Sequence, residues 1–336
     1  MKLVTYMVKA DELNIQSQDG MLARLGWVRD GHVIDVGLAQ QCMELEQNLV
    51  FPYRLATDML TFLQRGEQER DFLQRLDQAL GQRDWLRLQV EGEPVALALA
   101  EVDLFAPIAT PSSLRDFYAF EEHVRTCRQK RGLGMVPQWY EIPVFYFSNH
   151  QAVIGPEAPV KKPAYTNQLD YELEIACVIG KRGKNIKREE ALAHIAGFMI
   201  MNDWSARDAQ LQEVAVGLGP AKGKDFATSL GPWLVTTDEL EDCRDGERWS
   251  LMMRACVNGR ELSKGNTKDL HWTFAQMIER ASAECELVPG DVIGSGTVGT
   301  GCLLELGEEV HPYLQPGDVV ELEIERLGLL RNTIVE

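Results

Sequence analysis

Two glutamates set two residues apart inside an otherwise apolar run place the tightest constraint on this chain. They stand in Leu169-Asp170-Tyr171-Glu172-Leu173-Glu174-Ile175, which continues as Ala176-Cys177-Val178-Ile179. The run reads as a strand, and the period-two alternation of strand side chains turns Glu172 and Glu174 to one face. Like charges side by side on a half-buried strand repel and resist desolvation, so something cationic has to meet them. A second apolar run, Gly197 to Met201, leads into Asn202-Asp203-Trp204-Ser205-Ala206-Arg207-Asp208. There Asp203 supplies a third oxygen ligand for a hard divalent cation. The competing reading is an edge strand with both glutamates in water and Asp203 merely capping the next helix.

The chain has 336 residues, 45% of them hydrophobic, enough for one large domain or two modest ones. A formal charge of −17 argues against nucleic acid or an anionic membrane surface as partner. An anionic substrate would then need local help from a metal, Arg or Lys. No stretch approaches the roughly 18 apolar residues of a membrane span, and the N-terminus lacks a signal-peptide core, so a cytoplasmic location is expected. Seven cysteines without a C-x-x-C pair suit reduced, mostly buried thiols rather than a disulfide framework.

The first 105 residues differ from the rest. Met1 to Val8 is strand-like, and Leu22 to Val28, Asp30-Gly31 and His32 to Val36 predict a hairpin. Helical spacing over 39–49 and 56–81 follows, with Gly66 as a break and Gly81 as a stop. Val95 to Leu99 and Val102 to Phe105 read as returning strands, after which Pro107 and Pro111 punctuate a connection. The division is therefore a small α+β domain over 1–105 and a larger domain over 106–336. In the larger one, strand-like runs fall at 144–147, 171–179, 197–201, 232–236, 250–257, 291–295, 302–306 and 319–325. Helices are expected between 115 and 131, 188 and 195, 204 and 213, and 272 and 282. Many strands with few helices between them predict an α+β, mainly β fold rather than a βαβ array. The tract Gly294-Ser295-Gly296-Thr297-Val298-Gly299-Thr300-Gly301 lacks a Gly-x-Gly-x-x-Gly turn opening into a helix, which excludes a dinucleotide site there.

From about Phe105 onward these segments resemble the fumarylacetoacetate hydrolase (fumarylacetoacetase) superfamily. The resemblance is carried by the Glu-x-Glu strand, by Asn202 to Asp208, and by Asp116-Phe117-Tyr118 with His123 seven residues after the aspartate. It implies the mixed β-sandwich roll of that family for the catalytic domain, and a homodimer. It makes Asp116 the fourth metal carboxylate and His123 the general base. Glu305, in Leu304-Glu305-Leu306, becomes the group orienting the histidine. It also implies that Arg207, Gln210 and Lys224 clamp substrate and stabilise negative charge. A helix opening at Trp204 would put Arg207 and Gln210 on one face at i, i+3. Tyr118, Tyr146 and Thr297 match positions near the substrate. Two family positions differ: Gly132 stands where an arginine is expected, leaving Arg128 or Arg131 to substitute, and Val214 replaces a tyrosine. Both contact the acid end of the substrate in the family. His271-Trp272-Thr273-Phe274-Ala275-Gln276 and Leu287-Val288-Pro289-Gly290-Asp291 are similar to further fumarylacetoacetase segments.

The expectation is metal-dependent hydrolysis of a C–C bond in a small anionic 1,3-diketo acid, with Mg²⁺ first, then Mn²⁺ or Ca²⁺, in an all-oxygen site. The same metal core also suits 2-oxo acid decarboxylation or dienoate isomerisation and hydration. A non-catalytic binding protein is the remote alternative. Charge repulsion further predicts that neutralising Glu172 or Asp203 leaves the metal-free protein no less stable. The charged helix over 117–131, running into Gly132-Leu133-Gly134, is expected to act as a mobile lid.

Overall fold

The computed structural model describes residues 1–9, 23–45 and 51–336. An antiparallel meander opens the chain: β1 (Lys2–Val8), β2 (Arg24–Arg29) and β3 (His32–Asp35). Asp30 and Gly31 turn β2 into β3, both at positive φ, as a tight hairpin turn requires. Helices α1 (Val36–Leu45), α2 (Met59–Arg65) and α3 (Glu67–Leu80) follow, with Gly66 at φ 70° separating the last two. Leu22 of the expected hairpin, and the expected helix beyond Leu45, lie outside the described residues. β4 (Ala96–Ala98) returns beside β3, and β5 (Val102–Phe105) beside β1.

The remainder contributes β6 (Leu114–Phe117), α4 (Glu121–Lys130), β7 (Phe145–Phe147), β8 (Leu173–Ile179), β9 (Ile195–Asp203) and α5 (Arg207–Ala215). Then come β10 (Thr228–Thr236), β11 (Met252–Val257), β12 (Arg260–Asn266), α6 (Phe274–Ser282) and β13 (Val292–Gly294). The chain closes with α7 (Leu303–Leu306), β14 (Val319–Ile324) and β15 (Gly328–Val335).

A twelve-stranded sheet runs in the order β4-β3-β2-β1-β10-β9-β8-β13-β6-β7, with β5 also on β1 and the short strand Val153–Ile154 on β10. A five-stranded sheet contains β15, β14, β11 and β12 in that order, with Val160–Lys161 against β15. The fold is thus mixed α/β and dominated by one large sheet.

Every residue of β8 is buried, and alternate residues serve different cores. Ile175, Cys177 and Ile179 pack with Met253, Leu322 and Ile324 of the smaller sheet. Ala176 and Val178 pack instead with Trp27, Met43, Phe62 and Leu76 from the first 105 residues. A strand covered on both faces reads as a continuous apolar run, which is what Ile175 to Ile179 shows. Among the described residues, the first 105 therefore share a sheet and a core with the rest.

Two local expectations differ from the structure. Residues 302–306, expected as strand, form the single helical turn α7, because the N–H groups of Leu303 and Leu304 donate to the Asp170 carboxylate, at 2.8 and 3.0 Å, instead of to a strand partner. Helix α5 begins at Arg207, not Trp204, since Ser205–Ala206 still pairs with Leu169–Asp170 as a short ladder.

Candidate active site

By strand parity, Asp116, Glu174 and Asp203 project on the same face as Leu114, Ala176 and Met201 of their own strands. Those apolar residues belong to the core under α1, α2 and α3, so the carboxylates occupy the uncovered end of that face. Glu172 joins them from the residue before β8. Donor oxygens of Asp116, Glu172, Glu174 and Asp203 all lie within 4.8 Å of one another, and all four residues are buried. Two glycines make the approach possible. A Cβ at Gly294 would lie 2.6 Å from Asp116 Oδ1. Gly296, at φ 77°, donates its N–H to Asp116 Oδ1 and to Glu174 Oε2, each at 3.1 Å. The glycine-rich tract thus serves the acidic cluster.

Two cations meet one side of the cluster. Lys224 Nζ lies 2.5 Å from Glu172 Oε2 and 2.7 Å from Asp203 Oδ2. Arg207 pairs with Glu172 Oε1 at 2.8 Å, and Tyr146 Oη donates to Asp203 Oδ2 at 2.5 Å. Burial would raise Glu172, but the charges of Lys224 and Arg207 override it and hold the carboxyl at about 2. On the other side, burial and then the charge of Asp203 push Asp116 up to about 8. Burial and the neighbouring Asp116 drive Glu174 well above the usual carboxylate range, and burial likewise raises Asp203. Asp203 Oδ1 is buried without a hydrogen-bond partner. An all-oxygen donor set and a buried carboxylate oxygen left unpaired together fit a hard divalent cation. They do not suit zinc, which favours nitrogen and sulfur.

His123 lies in the first turn of α4, with Nδ1 2.5 Å from Glu305 Oε1, both side chains buried. Nδ1 is thereby committed, which leaves Nε2 for a reactant. Burial lowers the imidazole pKa, yet the adjoining Glu305 carboxylate more than offsets this and raises it to about 10. Glu305 Oε2 also accepts the Thr300 N–H at 3.0 Å.

Asp170, fully buried, was not singled out from the sequence. Besides the two N–H groups of α7 it accepts Arg207 Nε at 2.8 Å, tying the arginine to the helix that carries Glu305. Its signal was available: the acids alternate at 170, 172 and 174.

A cavity of about 570 Å³ joins these parts, lined by the carboxylates Asp116, Glu172 and Glu174 and by His123, Arg207, Gln210 and Lys224. Gln210 Oε1 accepts Arg207 Nη1 at 3.1 Å, the i, i+3 pairing expected. Lys222 is instead exposed and paired with Asp225. Tyr118, Tyr146 and Thr297 also line the cavity; the Tyr118 ring stands edge-on to His123, with centroids 5.4 Å apart. Of the two substitute arginines, Arg131 lines the cavity and Arg128 does not: Arg128 Nε donates to the Gly134 carbonyl at 2.5 Å. Lys130, read from the sequence only as a surface charge of its helix, lines it as well, and Val144, Leu211, Val214 and Pro220 add apolar lining.

Comparison with known proteins places the chain in a family. A model of the fumarylacetoacetate (FAA) hydrolase C-terminal family matches residues 113–335. The chain is 32% identical over 269 residues to the oxaloacetate tautomerase fahd2, mitochondrial, of Xenopus laevis, covering 79% of this chain and 78% of that protein. It is 30% identical over 284 residues to the fumarylacetoacetase of Oryza sativa subsp. japonica, covering 67% of this chain and 66% of that one. Among solved structures, fumarylacetoacetate hydrolase from psychrophilic Exiguobacterium antarcticum matches with a TM-score of 0.68 and 27% identity, covering 100% of this chain and 99% of that chain. With its acidic cluster, its glycine tract and two thirds of its length inside the family match, the chain belongs to the fumarylacetoacetate hydrolase family.

Proposed function

We propose that this chain is a divalent-metal-dependent hydrolase that cleaves a C–C bond in a 1,3-diketo acid, fumarylacetoacetate or a related acylpyruvate. The observation that supports it is that His123, held by buried Glu305, lines the same cavity as Asp116, Glu172 and Glu174 of the four-carboxylate cluster. Asp116, Glu172, Glu174 and Asp203 would hold Mg²⁺, or else Mn²⁺ or Ca²⁺. Such a cation would supply stabilisation of negative charge developing on the substrate.

His123 in its neutral form takes a proton from water at Nε2 while the water oxygen bonds to the acyl carbonyl carbon. Glu305 fixes the ring and favours the imidazolium that results. The bond from that carbon to the methylene then breaks, and its electron pair passes to the methylene carbon as the pyruvate enolate. The imidazolium returns the proton to this carbon, leaving a carboxylic acid and pyruvate. Arg207, Gln210 and Lys224 turn N–H groups toward the charge that develops. Arg131 and Lys130 would receive the far carboxylate of a dicarboxylic substrate, and Tyr118, Tyr146 and Thr297 would orient the chain between.

A second reading, keto–enol interconversion of a 2-oxo acid such as oxaloacetate, has its own support. Glu305 favours a protonated His123, and an imidazolium delivers a proton to an enol carbon without any water attack. Proton NMR of the protein with Mg²⁺ and acylpyruvates, fumarylacetoacetate or oxaloacetate separates the two. Release of pyruvate and free acid, abolished by chelator and by His123→Ala, supports the hydrolase. Faster enol decay of oxaloacetate, with every acylpyruvate left intact, replaces it with the tautomerase. Neither activity would overturn both.

A further inference from the structure

We propose that His123, Cys127 and Cys302 form a second metal site, selective for thiophilic cations such as Zn²⁺ or Cd²⁺, whose filling disables His123. The donor atoms of these three buried residues lie within 4.8 Å of one another. They arrive from two helices: His123 and Cys127 are one turn apart on α4, and Cys302 caps α7 three residues before Glu305. Cys127 Sγ is 3.8 Å from His123 Nδ1 and 3.9 Å from Nε2, and Cys302 Sγ is 3.7 Å from the Glu305 oxygen that holds Nδ1. Donors on a tetrahedral zinc ion stand about 3.5–3.8 Å apart, given bond lengths near 2.1 Å to nitrogen and 2.3 Å to sulfur. The cluster is therefore close to the spacing a metal needs, with small side-chain rotations to complete it.

Glu305 then acts as the outer carboxylate that fixes the ring of a metal-bound histidine, leaving Nε2 as the ligand. His123 and Cys127 line the cavity, so an ion enters by the route a substrate takes. The fourth position is left to water. On binding, two thiols and the imidazolium release three protons to solvent. A dication with two thiolates is electrically neutral, which makes its burial tolerable. The neighbouring carboxylate cluster differs in hardness: oxygen ligands keep Mg²⁺ or Mn²⁺, whereas thiolates select softer ions. Binding stands independently of the proposed reaction. The loss of turnover rests on His123 being the base.

The test titrates Cd²⁺ into protein held in excess Mg²⁺ and reads the near-ultraviolet cadmium–thiolate absorption together with proton release. Wild type and Asp116→Asn should bind one ion with the band. Cys127→Ser and Cys302→Ser should each weaken binding at least about tenfold. Cys302→Ala replaces the serine variant if circular dichroism shows that variant misfolded. A band of equal strength in both cysteine variants would assign the ion to other thiols and overturn the site, as would no band in wild type. Cadmium bound as expected with turnover undiminished would overturn the claim that it disables the base.

Discussion

At the scale of single residues, Glu172 and Glu174 behave differently although they share a face. Glu172 faces Lys224 and Arg207, whereas Glu174 faces Asp116, one backbone N–H from Gly296 and the Thr297 hydroxyl. Sequence spacing showed the convergence, because period two is local. It could not show which member is paired, since Lys224 arrives from fifty-two residues away. The expectation that neutralising Glu172 relieves the metal-free protein therefore needs correction. Glu172→Gln should lower the melting temperature of chelator-treated protein, with a cost of about 2–3 kcal/mol for leaving buried cations short of a partner. Asp116→Asn should leave it unchanged or higher. Calorimetry of both variants with chelator checks the contrast.

His123 gives a second residue-scale outcome. Its folded pKa, about 10, lies above the ordinary 6.5, so folding takes up a proton between those values. Stability from the His123–Glu305 pair is then complete below about 6.5 and is lost as pH rises toward about 10. Glu305→Gln should flatten the melting curve over that window. It should also move the alkaline rise in kcat/KM to lower pH, because the ring loses the anion that retains its proton. An unmoved rise would remove Glu305 as the orienting group.

Among elements, α7 was the least legible. Leu303 to Leu306 is expected as strand although leucine and glutamate favour helix, and the distant Asp170 carboxylate caps the turn they form. One carboxylate thus sets both the turn holding Glu305 and the direction of Arg207. Asp170→Asn should cost about 1–3 kcal/mol in urea unfolding. It should also lower kcat and shift the pH profile as Glu305→Gln does, a change that lost stability alone would not produce. Helix α4 is more firmly seated than its charged sequence suggested. Phe120, His123, Val124 and Cys127 are buried, and Trp139 Nε1 bonds to the Tyr118 carbonyl beside it. The mobile-lid expectation gave too little weight to these four. Hydrogen exchange should find the first turns of α4 protected with or without an inhibitor, and only residues beyond Arg128 slowed by one.

For the whole molecule, the pattern of strand-like and helical segments and the prolines at 107 and 111 set the first 105 residues apart, while the structure joins them through β1, which pairs with β10 at Lys2 and Leu3. The cue lay in β8, whose unbroken apolar run demanded cover on both faces; nothing local named the residues that supply it. A chain of residues 106–336 should consequently precipitate or sediment as large species on expression, even though it holds every residue of the acidic cluster. Among the described residues, no helix is long and apolar enough to cross a membrane.

The pairing of β1 with β10 has one more consequence. A strand left open at the rim of a sheet offers unpaired amides to any similar strand it meets. By lying along part of that rim at Lys2 and Leu3, β1 covers a stretch of the β10 border that would otherwise be open to pairing with another chain.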